Sequence, residues 1–571
     1  MISSNRLEIS LATLEDRSKI YHLRHEVYAR ELRQHPIQDA AHLQDPLDEF
    51  NVYLFAKINK EIAGFISITP PDKNIYSIDK YFTRKEIPLK VDEDTYEMRI
   101  LTVLPSFRGK PIAVALMWAA FRWIQALGGK KILAIGRAEV LDLYVKLGFT
   151  ATEKKVNSGE VSFTLIHGEV EELNGFIETH FKSLFQKIKH QCTWKLGIDF
   201  FKPSACYHGG AFFDAIGTEF DDLNKRLQII NADVLDAWFD PAPEVTRGIE
   251  KHFSWICKTS PPTDCAGMAK GIAKIRGLKP EQILPGSGSS DLIFLAFREW
   301  LSASSRVLIL DPTYGEYNHV LENLIGCQVD RIHLQRESNY TLDLEDLVAR
   351  AKSNYDLIVL VNPNSPTGQH VPANSLIDAL RQIPSNTRIW VDETYVEYCG
   401  KDQSLERFAI STTNTVICKS MSKVYALSGL RAAYLCASAI QLEKLRSISP
   451  PWAVSLPAQM GALLALKEQT YYEKCYALTH VLREEFTKKL LEIKSLEVIQ
   501  SKVNFVLCFL PEHGPDAAAV VARCKEKGLF IRDVSSMGKN FNKHTLRIAI
   551  KDKETNDKMI AILKNVLEFP S

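Results

Sequence analysis

The sequence predicts an α/β fold, with a mixed α/β domain at the N-terminus and a larger domain built on a mostly parallel sheet. Beyond residue 200, apolar runs typical of buried strands alternate with helical stretches, an order that favours a parallel sheet. At 571 residues and 64.6 kDa, the chain is too long for a single core. All eleven cysteines lie at or after Cys192, which indicates that two different parts join near this residue.

The composition is that of a globular, cytoplasmic protein, with 46% apolar residues, 24% charged residues and a net charge of +1. Balanced charge without basic runs excludes a nucleic-acid partner, and no apolar run approaches the roughly 20 residues that a membrane helix needs. The N-terminus lacks the basic and apolar regions of a secretion signal. The cysteines form no C-x-x-C pair and no His/Cys cluster, so we expect reduced thiols and no metal site.

The chain is predicted to divide into an N-terminal domain at residues 1–170, a helical linker at 171–200 and a C-terminal domain at 201–571. The linker begins with acidic and ends with basic residues, and its apolar residues recur at helical spacing. It contains one glycine and no run rich in proline and serine, so we expect an amphipathic connecting helix and not a flexible tether.

The N-terminal domain opens with residues 7–13, which alternate as in an edge strand, followed by helical residues 14–31. Next come a hairpin and a strand at residues 97–103. That strand runs through the glycine-bearing turn at 104–113 into an apolar helix at 114–127. A strand, such a turn and a helix N-terminus can together hold a pyrophosphate through backbone N–H groups. A strand at 131–135 and a helix ending in LYVKLGF complete the domain.

This order of elements resembles a GNAT acyltransferase, with LYVKLGF as its most specific part. The resemblance implies that the turn binds an acyl-CoA such as acetyl-CoA and that a tyrosine acts as general acid. Pro111 departs from the family, since it stands where the first motif glycine would be and removes one phosphate-facing N–H. These implied residues are Arg108, Gly109 and Ala113 for the acyl-CoA, and Tyr144 for the acid.

The early segment LRHEVYAREL also resembles the acyl-homoserine-lactone-synthase and N-acyl-amino-acid-synthase branch of the GNAT group. Members of that branch use a carrier-borne acyl chain, so an acyl carrier protein is an alternative donor. A third reading of the domain is a GNAT-shaped scaffold that binds or stabilises without transferring an acyl group.

In the C-terminal domain, four apolar runs each end in polar residues. They are residues 306–310 before DPTY, 357–361 before NPNSPTG, 388–391 before DETY, and 415–418 before KSMSK. Ligand sites of parallel sheets form beyond the carboxyl ends of the strands. These polar ends are therefore predicted to meet in space although they span more than a hundred residues.

The last of these ends carries Lys423, with hydroxyls at Ser420 and Ser422 and an arginine at Arg431. An amine, hydroxyls and a guanidinium at this spacing fit a phosphate-bearing aldehyde that the lysine holds as a Schiff base. The stretch resembles the lysine segment of fold-type I pyridoxal-phosphate (PLP) enzymes, and most of all the histidinol-phosphate aminotransferase group. The resemblance covers about 350 residues and implies a large, mostly parallel-sheet part, a small α+β part and a homodimer.

The resemblance also implies a role for each polar end. Asp392 would keep the pyridine nitrogen protonated, Tyr395 would bond the ring oxygen and Tyr314 would lie on the ring face. Ser289 and Ser290, in the loop before an apolar helix, would bind the 5′-phosphate. Arg547 would hold the substrate α-carboxylate, with Arg532 and Asn504 as weaker candidates on the substrate side.

Two positions depart from the group. Ser365 stands where an asparagine usually bonds the ring oxygen, so either Ser365 takes over that role or Asn364 shifts in. The tyrosine that usually reaches the partner subunit's phosphate aligns near Ser260. We expect these departures to affect which substrate is bound and which reaction is catalysed, and not the binding of PLP.

The sequence therefore predicts a bifunctional biosynthetic enzyme. The C-terminal part would transaminate an α-amino acid against a 2-oxo acid, and the N-terminal part would acylate an amine. A PLP-dependent decarboxylase or replacement enzyme remains an alternative, because the reaction depends on which Cα bond stands perpendicular to the ring. A non-catalytic ligand-binding protein is a third possibility, against which the joint presence of Lys423, Asp392, Arg431 and Arg547 argues.

Overall fold

The computed structural model describes residues 7–568, apart from 60, 160, 182–183, 186–187, 189–191, 198–208 and 494–495. The chain divides into two compact units, Met1–Lys202 and Pro203–Ser571. Both units are α/β in architecture, which confirms the predicted fold class. Among the described residues, no helix combines the length and apolarity needed to cross a bilayer.

The first unit is built on one eight-stranded sheet with the order β6-β7-β5-β4-β3-β2-β1-β8. Its strands are β1 (Leu7–Leu11), β2 (Val52–Ile58), β3 (Glu61–Thr69), β4 (Thr95–Val103), β5 (Lys131–Arg137), β6 (Thr150–Ser158), β7 (Val161–Glu169) and β8 (Cys192–Lys195). The prediction that the first strand lies at the edge is wrong, because β8 pairs with it in parallel. That partner lies about 185 residues away along the chain, so no local pattern indicates it.

Among the described residues of this unit, the α-helices are Leu14–Arg24, which continues as π-helical residues His25–Glu31, then Ile112–Ala126, Leu141–Lys146 and Val170–His180. The first helix begins at Thr13, whose side chain and that of Asp16 satisfy each other's backbone N–H groups in a capping box. The helix Ile112–Ala126 buries its apolar side chains against the sheet. The segment predicted as a linker contains both the helix Val170–His180 and β8, and its residues 198–200 are among those not described.

The second unit contains a seven-stranded sheet with the order β10-β16-β15-β14-β13-β11-β12. The strands are β10 (Ile283–Gly286), β11 (Arg306–Asp311), β12 (Gln328–His333), β13 (Leu357–Val361), β14 (Arg388–Asp392), β15 (Thr415–Ser420) and β16 (Ala433–Cys436), with a short β9 (Ile230–Asn231) outside the sheet. Neighbouring strands from β12 to β15 run parallel, and β16 is antiparallel to β15 and to β10.

Two hydrophobic cores explain the nearly continuous apolar runs of this sheet. Ile358 and Leu360 of β13 enter one core, whereas Leu357, Val359 and Val361 enter the core on the opposite face. A strand that is covered on both faces needs apolar residues at every position. The α-helices described in this part of the unit are Pro243–Lys258, Ala266–Arg276, Ser289–Trp300, Leu344–Ala351, Ala373–Leu380, Ala439–Ile448 and Leu456–Ala465, with short helices at Phe213–Ile216, Gly315–Asn318 and Glu406–Ala409.

A smaller sheet with the order β17-β18-β21-β20 lies in the C-terminal part of this unit. Its strands are β17 (Glu497–Ile499), β18 (Phe505–Phe509), β20 (Arg532–Asp533) and β21 (Thr545–Ala549), and β19 (Leu529–Phe530) pairs with β9. The helices Gln469–Leu491, Ala517–Glu526 and Lys553–Glu568 accompany it. All five residues of β21 are buried, and this strand carries Arg547 towards the large sheet, where its guanidinium bonds Ser365.

Candidate functional sites

Lys423 lies three residues beyond the end of β15, in the turn that the sequence indicated. Its Nζ donates to Asp236 Oδ1 at 2.7 Å and to Ser428 Oγ at 3.4 Å, and its side chain is 22% exposed. Burial disfavours the charged form of Asp236, but the ion pair with Lys423 outweighs it and lowers the pKa of Asp236. The catalytic candidate thus has a carboxylate partner nearly 190 residues away, which sequence reasoning missed because no local motif marks Asp236.

Arg431 and the loop before the helix Ser289–Trp300 form a cradle suited to an anion. The guanidinium of Arg431 donates to Ser422 Oγ at 3.4 Å, and Ser420 Oγ accepts the N–H of Ser422 at 3.3 Å. Gly288, at φ +88°, packs so closely on Arg431 that a Cβ there would meet the guanidinium. Backbone N–H groups at the start of the helix add positive potential beside this arginine.

Ser290, in the first turn of the same helix, bonds a carboxylate that the sequence did not indicate. Its Oγ donates to Glu316 Oε2 at 2.9 Å, and the hydroxyl of Tyr314 donates to the same oxygen at 2.8 Å. Ser289 opens the helix next to Gly288. Glu316 was not predicted, although it follows Tyr314 in the DPTYGEY segment and could have been noted as a polar residue past a strand end.

Asp392 ends β14 and is 3% exposed. Its Oδ1 accepts from the N–H and the hydroxyl of Thr394 at 2.9 and 2.6 Å, and its Oδ2 accepts from the hydroxyl of Tyr317 at 2.7 Å. Trp390 Nε1 in turn donates to that hydroxyl at 2.9 Å. Burial raises the pKa of the Asp392 carboxyl, and the bonds from Thr394 and Tyr317 partly offset the rise. Tyr317 is therefore a second residue that sequence reasoning missed.

Arg547 faces the polar end of β13. Its Nη1 donates to Ser365 Oγ at 3.2 Å and its Nη2 to the backbone oxygen of Asp233 at 3.1 Å. Burial lowers the pKa of Arg547 to about 10, and the neighbouring Arg532 adds to the lowering. The Nε atom of Arg547 is buried and has no hydrogen-bond partner among the described residues. A buried guanidinium with unused donors is suited to bind a carboxylate.

The other predicted residues surround this arginine. Tyr395 lies close enough for its hydroxyl to affect the charge of Arg547, and its ring packs edge-on against Phe505 at 5.4 Å. Arg532 pairs with Arg547 across neighbouring strands, and its Nη1 lies 3.5 Å from Asp233 Oδ1. Asn504 instead donates to the backbone oxygen of Leu235 at 3.0 Å.

PLP has a ring nitrogen, a ring oxygen, an aldehyde and a phosphate, and this site offers a counterpart to each. The carboxylate of Asp392, the amine of Lys423 and the cradle at Arg431 are three of them. The fourth is the hydroxyl of Tyr395, which lies beside Arg547. The amide of Asn364 already donates both of its hydrogens, to Pro312 O at 3.0 Å and to Thr367 Oγ1 at 3.1 Å. The residues present therefore fit the cofactor.

The first unit has a cavity of about 780 Å³. β4 pairs with β5 only from Thr95 to Met98, and beyond that point residues of both strands line the cavity. All four predicted residues of this unit line it as well: Arg108, Gly109, Ala113 and Tyr144.

Arg108 makes a bidentate ion pair with Glu31, with N–O distances of 2.7 and 2.9 Å, so its charge is already compensated. Gly109, at φ +85°, has open space around the position of a Cβ. Tyr144 is 7% exposed, and burial together with the nearby Tyr28 raises the pKa of its hydroxyl. The hydroxyl therefore keeps its proton at neutral pH, as a general acid requires.

Comparisons with known proteins bear on both units. The family model of aminotransferase class I and II matches residues 240–563, and the model of the GNAT acetyltransferase family matches residues 17–149. The histidinol-phosphate aminotransferase 2 of Archaeoglobus fulgidus is 30% identical over 341 residues, which cover 59% of this chain and 93% of the relative.

Two solved structures share the fold of the second unit at 22% sequence identity each. The histidinol-phosphate aminotransferase of Sinorhizobium meliloti in complex with pyridoxal-5′-phosphate has a TM-score of 0.54 and covers 64% of this chain and 100% of its own. The L-threonine-O-3-phosphate decarboxylase of Porphyromonas gingivalis has a TM-score of 0.53, with coverage of 60% and 100%. With a family model that matches more than half of its length, the chain belongs to the aminotransferase class I and II family and carries a GNAT domain at its N-terminus.

Proposed function

We propose that the chain is a bifunctional enzyme whose C-terminal unit transaminates an α-amino acid with PLP and whose N-terminal unit acylates an amine. The observation that carries the first part is that Asp392, Lys423 and Arg431 lie at the carboxyl ends of the parallel strands of the large sheet, where Arg547 of the smaller sheet reaches Ser365. These residues are spread over 156 positions of the sequence, so their meeting is a property of the fold.

Bound PLP supplies an electron sink that weakens the bonds of the substrate Cα. Lys423 holds the cofactor and, once released by the substrate, moves the proton at the substrate Cα. Asp392 keeps a proton on the pyridine nitrogen. Arg431 holds the phosphate, with the hydroxyls of Ser420, Ser422, Ser289 and Ser290 near it.

Arg547 binds and orients the α-carboxylate of the substrate. Its partner Ser365 accepts a hydrogen bond from the same guanidinium, and its own hydroxyl proton would bond the ring oxygen of bound PLP together with the hydroxyl of Tyr395. This arrangement is how Ser365 would replace the asparagine that usually stands there.

The first test is covalent attachment of the cofactor. Full-length protein supplied with PLP should absorb near the visible edge, and borohydride reduction followed by peptide mass spectrometry should find the cofactor on Lys423. In Lys423→Ala the adduct should be absent and the transamination rate should fall at least ~100-fold. Lys558→Ala, at an exposed lysine of the last helix, is the control. A colourless protein without an adduct on Lys423 contradicts the proposal.

Decarboxylation is the second candidate, supported by the similar fold of the Porphyromonas gingivalis decarboxylase and by the serine at position 365. The residues described above would serve either reaction. A panel of amino acids with and without 2-oxo acids separates them, because a transaminase forms a new 2-oxo acid and a decarboxylase releases CO₂ and an amine.

For the N-terminal unit, the cavity beside Tyr144 supports transfer from acetyl-CoA or from another acyl donor, including a carrier protein. Thiol release from acetyl-CoA in the presence of candidate amines tests this activity. Tyr144→Phe should lower the rate about 100-fold and leave CoA binding unchanged in calorimetry. No thiol release with any donor and no CoA binding would favour a scaffold role.

The family resemblance further supports a homodimer, which light scattering on the eluted protein tests.

A further inference from the structure

The carboxylate of Asp236 has a defined position beside the amine of Lys423. Its Oδ1 accepts from Nζ of Lys423 at 2.7 Å, and Nζ also donates to Ser428 Oγ at 3.4 Å. The hydroxyl of Ser428 is itself held, because it donates to the backbone oxygen of Ser422 at 3.2 Å. A carboxylate and a hydroxyl therefore orient the amine of the candidate catalytic lysine together.

The segment directly before Asp236 is anchored by the smaller sheet. Asn504, which precedes β18 and is fully buried, donates from Nδ2 to the backbone oxygen of Leu235 at 3.0 Å. Arg547 of β21, the strand that pairs with β18, donates to the backbone oxygen of Asp233 at 3.1 Å. Two hydrogen bonds thus fix the residues that lead to Asp236, so its carboxylate is held at the site by the fold and not only by its ion pair.

Asp236 is ionised in this position. Burial disfavours its charged form, but the charge of Lys423 and the hydrogen bond from Nζ outweigh burial and lower the pKa of Asp236. An anionic neighbour stabilises an ammonium group more than a neutral amine. The two side chains are 36% and 22% exposed, so water can reach the amine and exchange its hydrogens.

We propose that Asp236 is a positioning residue for proton transfer, which stabilises the ammonium that Lys423 becomes when it takes the proton of the substrate Cα. In this step the Cα–H bond breaks, its electron pair moves into the electron sink of bound PLP, and an N–H bond forms at Nζ. The carboxylate of Asp236 stays ionised and forms no covalent bond. This inference rests on the proposed function and adds a partner to its central lysine.

Uptake of deuterium at the substrate Cα measures this step without a 2-oxo acid. The PLP-loaded full chain is incubated in D₂O with L-alanine, L-glutamate, L-phenylalanine and L-lysine, and mass spectrometry follows the mass of each amino acid. Asp236→Asn keeps the shape of the side chain and removes its charge. It should slow the uptake about fivefold, because the ammonium charge is only partly formed in the transition state. Asp240→Asn, at an exposed aspartate four residues further, should leave the rate unchanged.

The reactivity of Lys423 provides a second readout, which needs neither substrate nor turnover. Full-length protein without PLP is treated with acetic anhydride at pH 8, and peptide mass spectrometry compares Lys423 with the exposed Lys558 in the same sample. Only an unprotonated amine attacks this reagent. Loss of the carboxylate in Asp236→Asn should therefore raise the relative acetylation of Lys423 at least about fivefold.

A structural role of Asp236 would give a different pattern. In Asp236→Asn, borohydride reduction should still trap PLP on Lys423, which shows that the fold and the cofactor site persist. Unchanged deuterium uptake or unchanged acetylation in this variant overturns the proposal. So does an unchanged protein that carries PLP on Lys423 but takes up no deuterium into any of the amino acids. Failure of the proposed function would instead appear as a missing adduct on Lys423 in the unchanged protein.

Discussion

Lys419 is a buried cation of β15 whose removal should destabilise the C-terminal unit strongly. It is 2% exposed, and its Nζ lies 3.3 Å from Glu393 and 2.8 Å from Glu397. Burial disfavours the ammonium, but the two glutamates outweigh it and raise the pKa of Lys419. Lys419→Met keeps most of the side-chain volume and leaves Arg276, 2.9 Å from Glu397, to balance both glutamates and Glu406. Breaking one side of a buried ion pair costs about 3–5 kcal/mol.

The assay is urea unfolding of the full chain, with release of bound PLP reporting on the C-terminal unit. Lys444→Met is the matched control, because Lys444 is 65% exposed and lies 3.8 Å from its partner Glu299. An exposed pair of this kind should change the free energy of unfolding by less than about 0.5 kcal/mol. The two variants remove the same charge, so their difference measures the effect of burial.

The loss in Lys419→Met should depend on pH in a defined direction. Without the ammonium, Glu393 and Glu397 bind protons more readily in the folded than in the unfolded chain, where their pKa is about 4.3. As the pH falls, protonation of these glutamates removes the uncompensated negative charge from the folded variant. The difference in unfolding free energy between the unchanged protein and Lys419→Met should therefore be smaller at pH 5.5 than at pH 7.5. A loss below about 1 kcal/mol at pH 7.5, or a loss that grows on acidification, would refute this reasoning.

Two further perturbations address the cofactor site. Tyr317→Phe removes the hydrogen bond of 2.7 Å to Asp392, which raises the pKa of that carboxyl further and should slow the amino-acid half-reaction by about tenfold. Tyr355→Phe, which removes a similar bond to the half-exposed Asp330, should leave the rate unchanged, and equal rates in both variants would contradict the role of Tyr317. Gly288→Ala introduces a Cβ at φ +88° against Arg431. We expect this contact to weaken PLP binding by about 1–2 kcal/mol, so the Kd for PLP in a fluorescence titration should rise at least ~10-fold. Unchanged PLP affinity would show that Arg431 does not depend on this close contact.

The candidate site could be predicted in part because several of its residues occupy the ends of apolar strands. The runs before Asp392 and before Lys423 are nearly continuous in apolar residues, and the structure buries both as central parallel strands. The alternation of apolar strands and helices also predicts a mostly parallel sheet, but the order of its strands comes from the structure. Arg547 was predicted through its motif, and the structure places it against Ser365.

Residues that act through distant contacts could not be predicted in this way. Asp236 has no local motif, and only the fold brings it to Lys423. Likewise, β8 joins the far side of β1 from about 185 residues away, and an isolated strand pattern does not identify its partner.

Composition, periodicity and motifs were enough to predict the two-part α/β organisation and the apolar strands of the large sheet, and they marked Lys423, Asp392, Arg431 and Arg547 as candidate site residues. Hydrophobic periodicity and short motifs involve residues close together in the chain, so they can be recognised in the sequence without coordinates. Which charged groups meet, such as Asp236 and Lys423, and how far each is buried became known from the three-dimensional fold. Electrostatic energy depends on the distance between groups in space and on their exposure to water, and neither follows from separation along the chain.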